Sequence, residues 1–396
     1  MTDRTQAFIA PGPPGAYSRL RDWWGGHSLA QLGIYFGLGL VIVLLGSNTV
    51  ATMHRLGINP GFGFLGRSAS FEIGETLILY AAGDTYARAL LVGLLNTVEV
   101  AVVGCALATV LGLLLGISRL SGNLLLSGLV QAYVELIRNT PLLLQLFFWS
   151  ATLHALPAPR QAFSLLGLGL LSNRGVFVPA VGIKGSGTGA VFGIAALFLL
   201  TFLVVWRWRG RRIRFSVIAT AGLSTLALAL LAAFLAGGRL QVSIPALKGF
   251  NIQGGLALSP EFAALLIGLT VNSAATISEI VRSGIESVPR GQWEAARSLG
   301  LPGGRVFRLV IMPQAMRVIT PLLTSSYLDL TKNSSLAVAI GFPDLVSVVN
   351  TSANQTGQAV ETIAILVTVY LALNLSVSAL MNRHNARVMR RLAVTR

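Results

Sequence analysis

Long apolar runs separated by short polar stretches organise this chain from near its beginning to near its end. Eight of them have the length of a helix: 29–50, 89–117, 124–153, 189–206, 215–236, 262–280, 318–340 and 360–381. A helix crossing the hydrocarbon core of a bilayer needs roughly 20 apolar residues. Inside lipid, every backbone N–H and C=O must find its partner within the protein, so these runs are expected as helices. The pattern predicts an all-α membrane protein with about eight transmembrane helices. The first run starts late and no small-residue cleavage pattern follows it, so it is expected to stay in the protein.

Composition agrees. Of 396 residues, 54% are hydrophobic and only 11% charged, against about 25% charged in a soluble domain. The net charge of +16 would suit nucleic acid, but its placement points elsewhere. One set of loops holds Arg207, Arg209, Arg211, Arg212 and Arg214. The same side holds Arg282, Arg290, Arg297, Arg305, Arg308 and Arg317, and then Arg383, Arg387, Arg390, Arg391 and Arg396. Only Glu286 and Glu294 oppose these. On the other side, Arg55, Arg67, Arg88, Arg160, Arg174, Lys184, Arg239 and Lys248 are nearly balanced by Glu72, Glu75, Asp84, Glu261, Asp344 and Glu361. Basic residues mark the cytoplasmic side of a membrane protein. With an even number of spans, both termini are expected in the cytoplasm, and no nucleic-acid partner is needed. The single Cys105 allows no internal disulfide, and His27, His54, His154 and His384 lack metal-ligand spacing. The glycine-rich 184–188 stretch lacks the Gly-Lys-Ser/Thr ending of a phosphate-binding loop, so the chain is not expected to bind ATP that way.

The loop after the sixth run carries Glu294-Ala295-Ala296 and, four residues on, Gly300. Pro289 is tolerated at a helix start, and Gly300 is a natural stop because glycine accepts the left-handed conformation after a helix. A short helix on the membrane surface is expected between them. Its two alanines offer a face without bulk, and Glu294 an anion for a basic partner. Taken alone, the pattern also fits an ordinary amphipathic surface helix. In its setting the loop resembles the EAA motif of ABC-importer permeases. The match extends through Glu279, Arg282, Gly284, Val288, Pro289, Gly291 and Gln292, then Met312 to Arg317, Pro321 and Lys332 to Leu336. Those flanks resemble the polar and general L-amino-acid group. Gly93 to Thr97 and Tyr133 to Gln145 resemble the same group.

The resemblance implies a type I ABC-importer permease core with a cytoplasmic coupling helix, in a bacterial inner membrane. It implies Gly291, Gln292, Glu294, Ala295, Ala296 and Gly300 as the coupling residues. It implies a cytoplasmic ABC ATPase dimer, which binds the ATP and Mg, so no cofactor is expected in this chain. It also implies a periplasmic amino-acid-binding protein and a second permease subunit; the long, asymmetric chain favours a heterodimer. The function implied is passage of L-amino acids, with no chemistry done by the chain. Another small polar solute, such as an opine or a cationic compound, and a self-powered secondary amino-acid transporter are the alternatives.

The organisation expected is a cytoplasmic segment at 1–28, a first transmembrane helix and periplasmic loop at 29–88, and the first part of the permease core at 89–156. An inserted segment with two extra transmembrane helices follows at 157–254. The second part of the core, with the EAA loop at 281–317, fills 255–382, and a basic cytoplasmic tail fills 383–396. Within the insertion, the apolar 165–171 stretch is too short to span and is expected at the outer interface.

Ionisable residues in a span are costly and mark a pathway or a partner. Glu99, Glu135, Arg138, Glu279 and Asp329 stand out, with Lys332 nearby. Glu135 with Arg138, and Asp329 with Lys332, have the three-residue spacing that puts both charges on one helix face. Each pair has two readings: a lining that suits a zwitterion, or an ion pair that fixes helix register. Glu279 lies near the inner end of its span and reads as a gating or loop-holding group. The candidate pathway is Asn96, Glu135, Arg138, Asn139, Thr140, Asn272, Glu279, Asp329, Lys332 and Asn333. Thr140-Pro141 and Thr320-Pro321 are candidate helix breaks, and Gly33/Gly37 and Gly112/Gly116 candidate close helix contacts.

Overall fold

The computed structural model describes residues 28–55, 57, 61–165, 167–184 and 239–393. The expected spans at 189–206 and 215–236 lie outside the described residues, as does nearly all of the N-terminal segment. Helix α1, Ser28–Arg55, is apolar on all sides and exposed along almost its whole length; Met53 near its end is its one buried residue among those described. A helix apolar all round needs a nonpolar solvent. Gly33 and Gly37 meet no neighbour there, so the close contact expected of them is not made in this chain alone.

Helix α2, Tyr86–Arg119, opens on Thr85, whose hydroxyl accepts from the Arg88 amide, and runs parallel to α5, Pro260–Glu286. Ser259 caps α5 by accepting from the Phe262 amide (3.0 Å), and Pro260 sits where its missing donor costs nothing. Gly112 and Gly116 lie one turn apart against Ile277 and Val281 of α5. A Cβ on Gly112 would stand 2.6 Å from the Ile277 Cβ, and one on Gly116 2.8 Å from the Val281 Cβ. The two helices therefore meet almost backbone to backbone, as small-residue pairs permit in membranes.

The third run, 124–153, is two helices: α3, Leu124–Arg138, and α4, Leu142–His154. The break falls at Pro141, as the sequence suggested. Gln145 makes it tolerable, donating to the Ile137 carbonyl (2.9 Å) and the Thr140 carbonyl (3.0 Å) that the interrupted ladder frees. The second candidate break is not one. Pro321 lies inside α7, Met312–Asn333, which stays helical throughout. Thr320 bonds back to the Met316 carbonyl (2.7 Å) beside it. The irregular turns come at the ends instead: a π-helical turn at Phe307–Ile311 before α7 and a 3-10 turn at Ser334–Ile340 after it. Asp344 then caps α8, Leu345–Thr356, and α9, Ala359–Ala393, is the last described element.

The all-α expectation needs correction in the inserted region. Its described parts, with the few residues after them, form eight short strands: β1 Phe163–Leu165, β2 Gly169–Ser172, β3 Gly175–Val178, β4 Ala180–Lys184, β5 Arg239–Ser243, β6 Ala246–Lys248, β7 Asn251–Gln253 and β8 Leu256–Leu258. A four-stranded antiparallel sheet has the order β1-β2-β3-β8, and β4-β5 and β6-β7 are separate ladders. The 165–171 stretch is therefore part of a β-hairpin. Leu165 ends β1 and pairs with Gly169, and Gly167 (φ 73°) makes the turn between them. Apolar content hid the turn: it is the glycine, not a polar residue, that reverses the chain.

The sheet continues into α5 through Ser259 and so lies at one end of the helical core. At that end Phe64, Tyr86, Leu345 and Val348 pack together, and Phe262 lies against Phe342 with ring centroids 5.8 Å apart. The opposite end is closed by a buried cluster including Ile277, Val281, Ile285, Ala296, Val306, Ala315 and Ile319.

Candidate functional site

The loop after α5 folds as the sequence predicts. Helix α6, Arg290–Ser298, follows Pro289, whose carbonyl accepts from the Gln292 amide (2.9 Å). It ends at Leu299, and Gly300 takes the left-handed conformation (φ 74°), with its amide on the Arg297 carbonyl (2.9 Å). Nothing lies within 4 Å of where a Gly300 Cβ would stand, so glycine is needed there for its backbone and not for space.

The two alanines divide their work. Ala296 is 4% exposed and packs with Val288, Val306, Ile311 and Ala315. Ala295 is exposed, beside exposed Gly291, Gln292, Glu294 and Arg297. The small face expected from the pair is thus one residue wide. Successive helical residues point about 100° apart, and the step from Ala295 to Ala296 crosses from the exposed side to the buried one. Ala296 instead seats the helix, and Gln314 of α7 donates to the Gln292 side chain (3.1 Å). Leu299, missed from the sequence, is 81% exposed at the helix end. Its position beside the stop glycine was the available signal.

Above α6 an ionic network ties the ends of α2 and α5 together. Glu279 binds Arg119 of α2 and, at 2.5 Å, Arg282 of its own helix; Arg282 also binds Glu286. Glu279 was legible as a group near the loop. Arg119 was not, because nothing in the sequence pairs residues 160 apart. Beside the network, a cleft of about 930 Å³ is lined by Ser118, Ser121, Glu286, Arg290, Trp293 and Phe307, among others. Helix α6 forms one of its walls.

The remaining candidate residues do not converge. Asn96 is buried at the sheet end, and its amide donates to the carbonyls of Glu75 and Pro343, both at 2.9 Å. Glu135, Arg138 and Asn139 are exposed on α3 and after it, and Thr140 bonds back to the Leu136 carbonyl. Glu135 accepts from Gln131 (2.7 Å) and forms no ion pair with Arg138. A neighbouring amide one turn away serves the carboxylate equally well at an exposed site. Asp329 and Lys332 are likewise exposed on α7 without pairing to each other, with Asn333 half-buried beside them. Asn272 is half-buried on α5. Among the described residues, no three metal-binding side chains come together.

Comparison with known proteins places the arrangement. Residues 108–390 match the family described as binding-protein-dependent transport system inner membrane component. The putative amino-acid ABC transporter permease YhdX of Escherichia coli is 48% identical over 86% of this chain and 88% of its own. The general L-amino acid transport system permease AapQ of Rhizobium johnstonii is 43% identical over 90% of this chain and 92% of its own. The glutamate/glutamine/aspartate/asparagine transport system permease BztB of Rhodobacter capsulatus is 36% identical over 90% and 91%. Five described helices are long and apolar enough to cross a membrane, α7 counted with the turns flanking it. The chain is an integral membrane protein of the binding-protein-dependent transport system permease family, a transport component and not an enzyme.

Proposed function

We propose that this chain is the permease subunit of an ATP-driven importer in a bacterial inner membrane, and that it forms, with a second and different permease, the pathway for L-amino acids. A periplasmic binding protein delivers the amino acid, and α6 is the coupling helix on which a cytoplasmic ATPase dimer acts. Both termini lie in the cytoplasm with α6, and the sheet lies outside. The chain binds neither ATP nor Mg itself. The names of its relatives support amino acids as the cargo class.

The observation that carries this reading is the construction of α6. One side, through Ala296, is locked into the buried cluster that includes Ile285 of α5 and Ala315 of α7. The other side presents Glu294, Ala295, Arg297 and Leu299 to solvent. A push on the outer side passes directly to two membrane helices. The Arg119–Glu279–Arg282 network carries it on to α2. Asp329, Lys332 and Asn333 stand on α7, where exposed charge of both signs is available to a zwitterion once a second subunit closes the pathway. Glu135, Arg138, Asn139, Thr140 and Asn272 belong to the same reading on α3, its end and α5.

A photo-crosslinking amino acid in place of Ala295 tests the coupling role in the assembled complex. It is expected to capture the ATPase, whereas the same group in place of Leu114, exposed within the α2 span, captures none. Failure at Ala295 while the ATPase co-purifies would remove α6 from the coupling interface.

A further inference from the structure

The insertion has a composition that topology does not explain. Its described parts, 157–165, 167–184 and 239–254, hold Arg160, Arg174, Lys184, Arg239 and Lys248 and no acidic residue. On the outer side of a membrane protein, such an excess runs against the usual distribution of charge. The same segments carry large apolar side chains: Phe163, Leu165, Leu168, Leu247 and Phe250 are all exposed, the last at 73%. Arg160 lies 3.8 Å over the Phe250 ring, and Arg174 bonds to Asn251, so two of the cations are tied to β7 and the turn before it. Cation and ring in that arrangement present one mixed surface.

The strands also show that this part projects. Successive side chains of a strand point to opposite faces. Every residue of β1 and of β6 is exposed, so neither strand lies flat on the helical core. They form a ledge at the end of the core remote from α6. Exposed aromatic side chains with arginine beside them suit a protein-recognition surface.

We propose that this ledge is the docking surface for the soluble binding protein, and that it receives an acidic face of that protein around the Phe250 and Phe163 side chains. The proposal rests on the importer reading above. Charge brings the partners together and selects among them, while the apolar side chains hold them. Occupation of the ledge then sets the mouth of the binding protein over the outer ends of α2 and α5.

The test uses the full transporter in nanodiscs of neutral lipid, with its soluble amino-acid-binding protein loaded with mixed L-amino acids. ATP hydrolysis is followed against binding-protein concentration for wild type, Arg160→Glu/Lys248→Glu and Phe250→Ser. Size-exclusion chromatography checks that each complex assembles. Both variants are expected to raise the half-saturating concentration about fivefold or more, with the rate at saturation retained. The wild-type value should rise comparably between about 0.02 and 0.5 M salt as screening shortens the reach of the charges. Lys248→Ala, which removes a charge without reversing it, should give a smaller change of the same sign. Wild-type saturation by both variants would overturn the proposal and leave the importer reading intact. A defect seen only when anionic lipid is present would overturn it in favour of a membrane anchor. A wild-type complex that ignores the binding protein would sink both.

Discussion

Replacing Gly300 isolates one physical term. Its φ of 74° is left-handed, and a Cβ there would meet nothing within 4 Å. A substitution therefore adds conformational strain without a clash inside this chain. That strain is about 1–2 kcal/mol for an ordinary residue, or roughly a five- to thirtyfold loss in the population of the capped helix end at 1.36 kcal/mol per decade. Asparagine tolerates the conformation better, and a β-branched residue worse. Binding-protein-stimulated ATP hydrolysis by the reconstituted complex should thus fall in the order Gly300, Gly300→Asn, Gly300→Ala, Gly300→Val. Hydrolysis by the ATPase alone serves as the reference. If Gly300→Asn were no better than Gly300→Val, side-chain bulk against a partner would be the cause, and the backbone argument would be refuted. Equal activity across the series would show that the helix stop has no part in coupling.

Gly112→Ala should lower the melting temperature of the purified complex, because its Cβ would lie 2.6 Å from the Ile277 Cβ and 3.0 Å from the Ala274 carbonyl oxygen; overpacking of this kind costs about 1–3 kcal/mol. Gly122→Ala, in open space, is the neutral control. Glu279→Gln should destabilise by on the order of 1–2 kcal/mol, between an exposed and a buried pair, since it leaves a largely buried Arg119 without its carboxylate. Adding Arg119→Met should recover part of the loss in a double-mutant cycle, and strict additivity would deny the pairing. Asp344 is buried, one oxygen capping α8 at the Ser347 amide (2.9 Å) and the other without a partner among the described residues. Burial raises its carboxyl from 3.8 to about 7. The folded state then holds the proton longer than the unfolded one, so stability falls as pH rises from about 4 to about 7. Asp344→Asn keeps an equally good cap and should flatten that slope in melting curves taken from pH 5 to 8, with the variant the more stable at pH 8. An unchanged slope would place the titration elsewhere.

The described membrane helices and α6 were readable because long apolar runs, a proline and a stop glycine are local signals. What escaped depended on contacts distant in the chain. Pro321 looks like Pro141 in sequence, yet only Pro141 ends a helix, and only there does a downstream Gln145 gather the freed carbonyls. Ala295 and Ala296 are alike in kind and differ in what α7 and the 302–311 turn place against them. The Arg119–Glu279 pair required knowing that α2 and α5 run side by side. The β ledge was masked because its strands are short and apolar and its reversals are made by glycine, so it read as neither a span nor a sheet.

The most direct test of the whole account is uptake of a labelled L-amino-acid mixture into proteoliposomes that hold this chain, its partner permease and the ATPase, with binding protein outside and ATP inside. The account predicts accumulation that needs all of these together and stops when ATP is withheld. Accumulation driven by an ion gradient, with the ATPase left out, would contradict it.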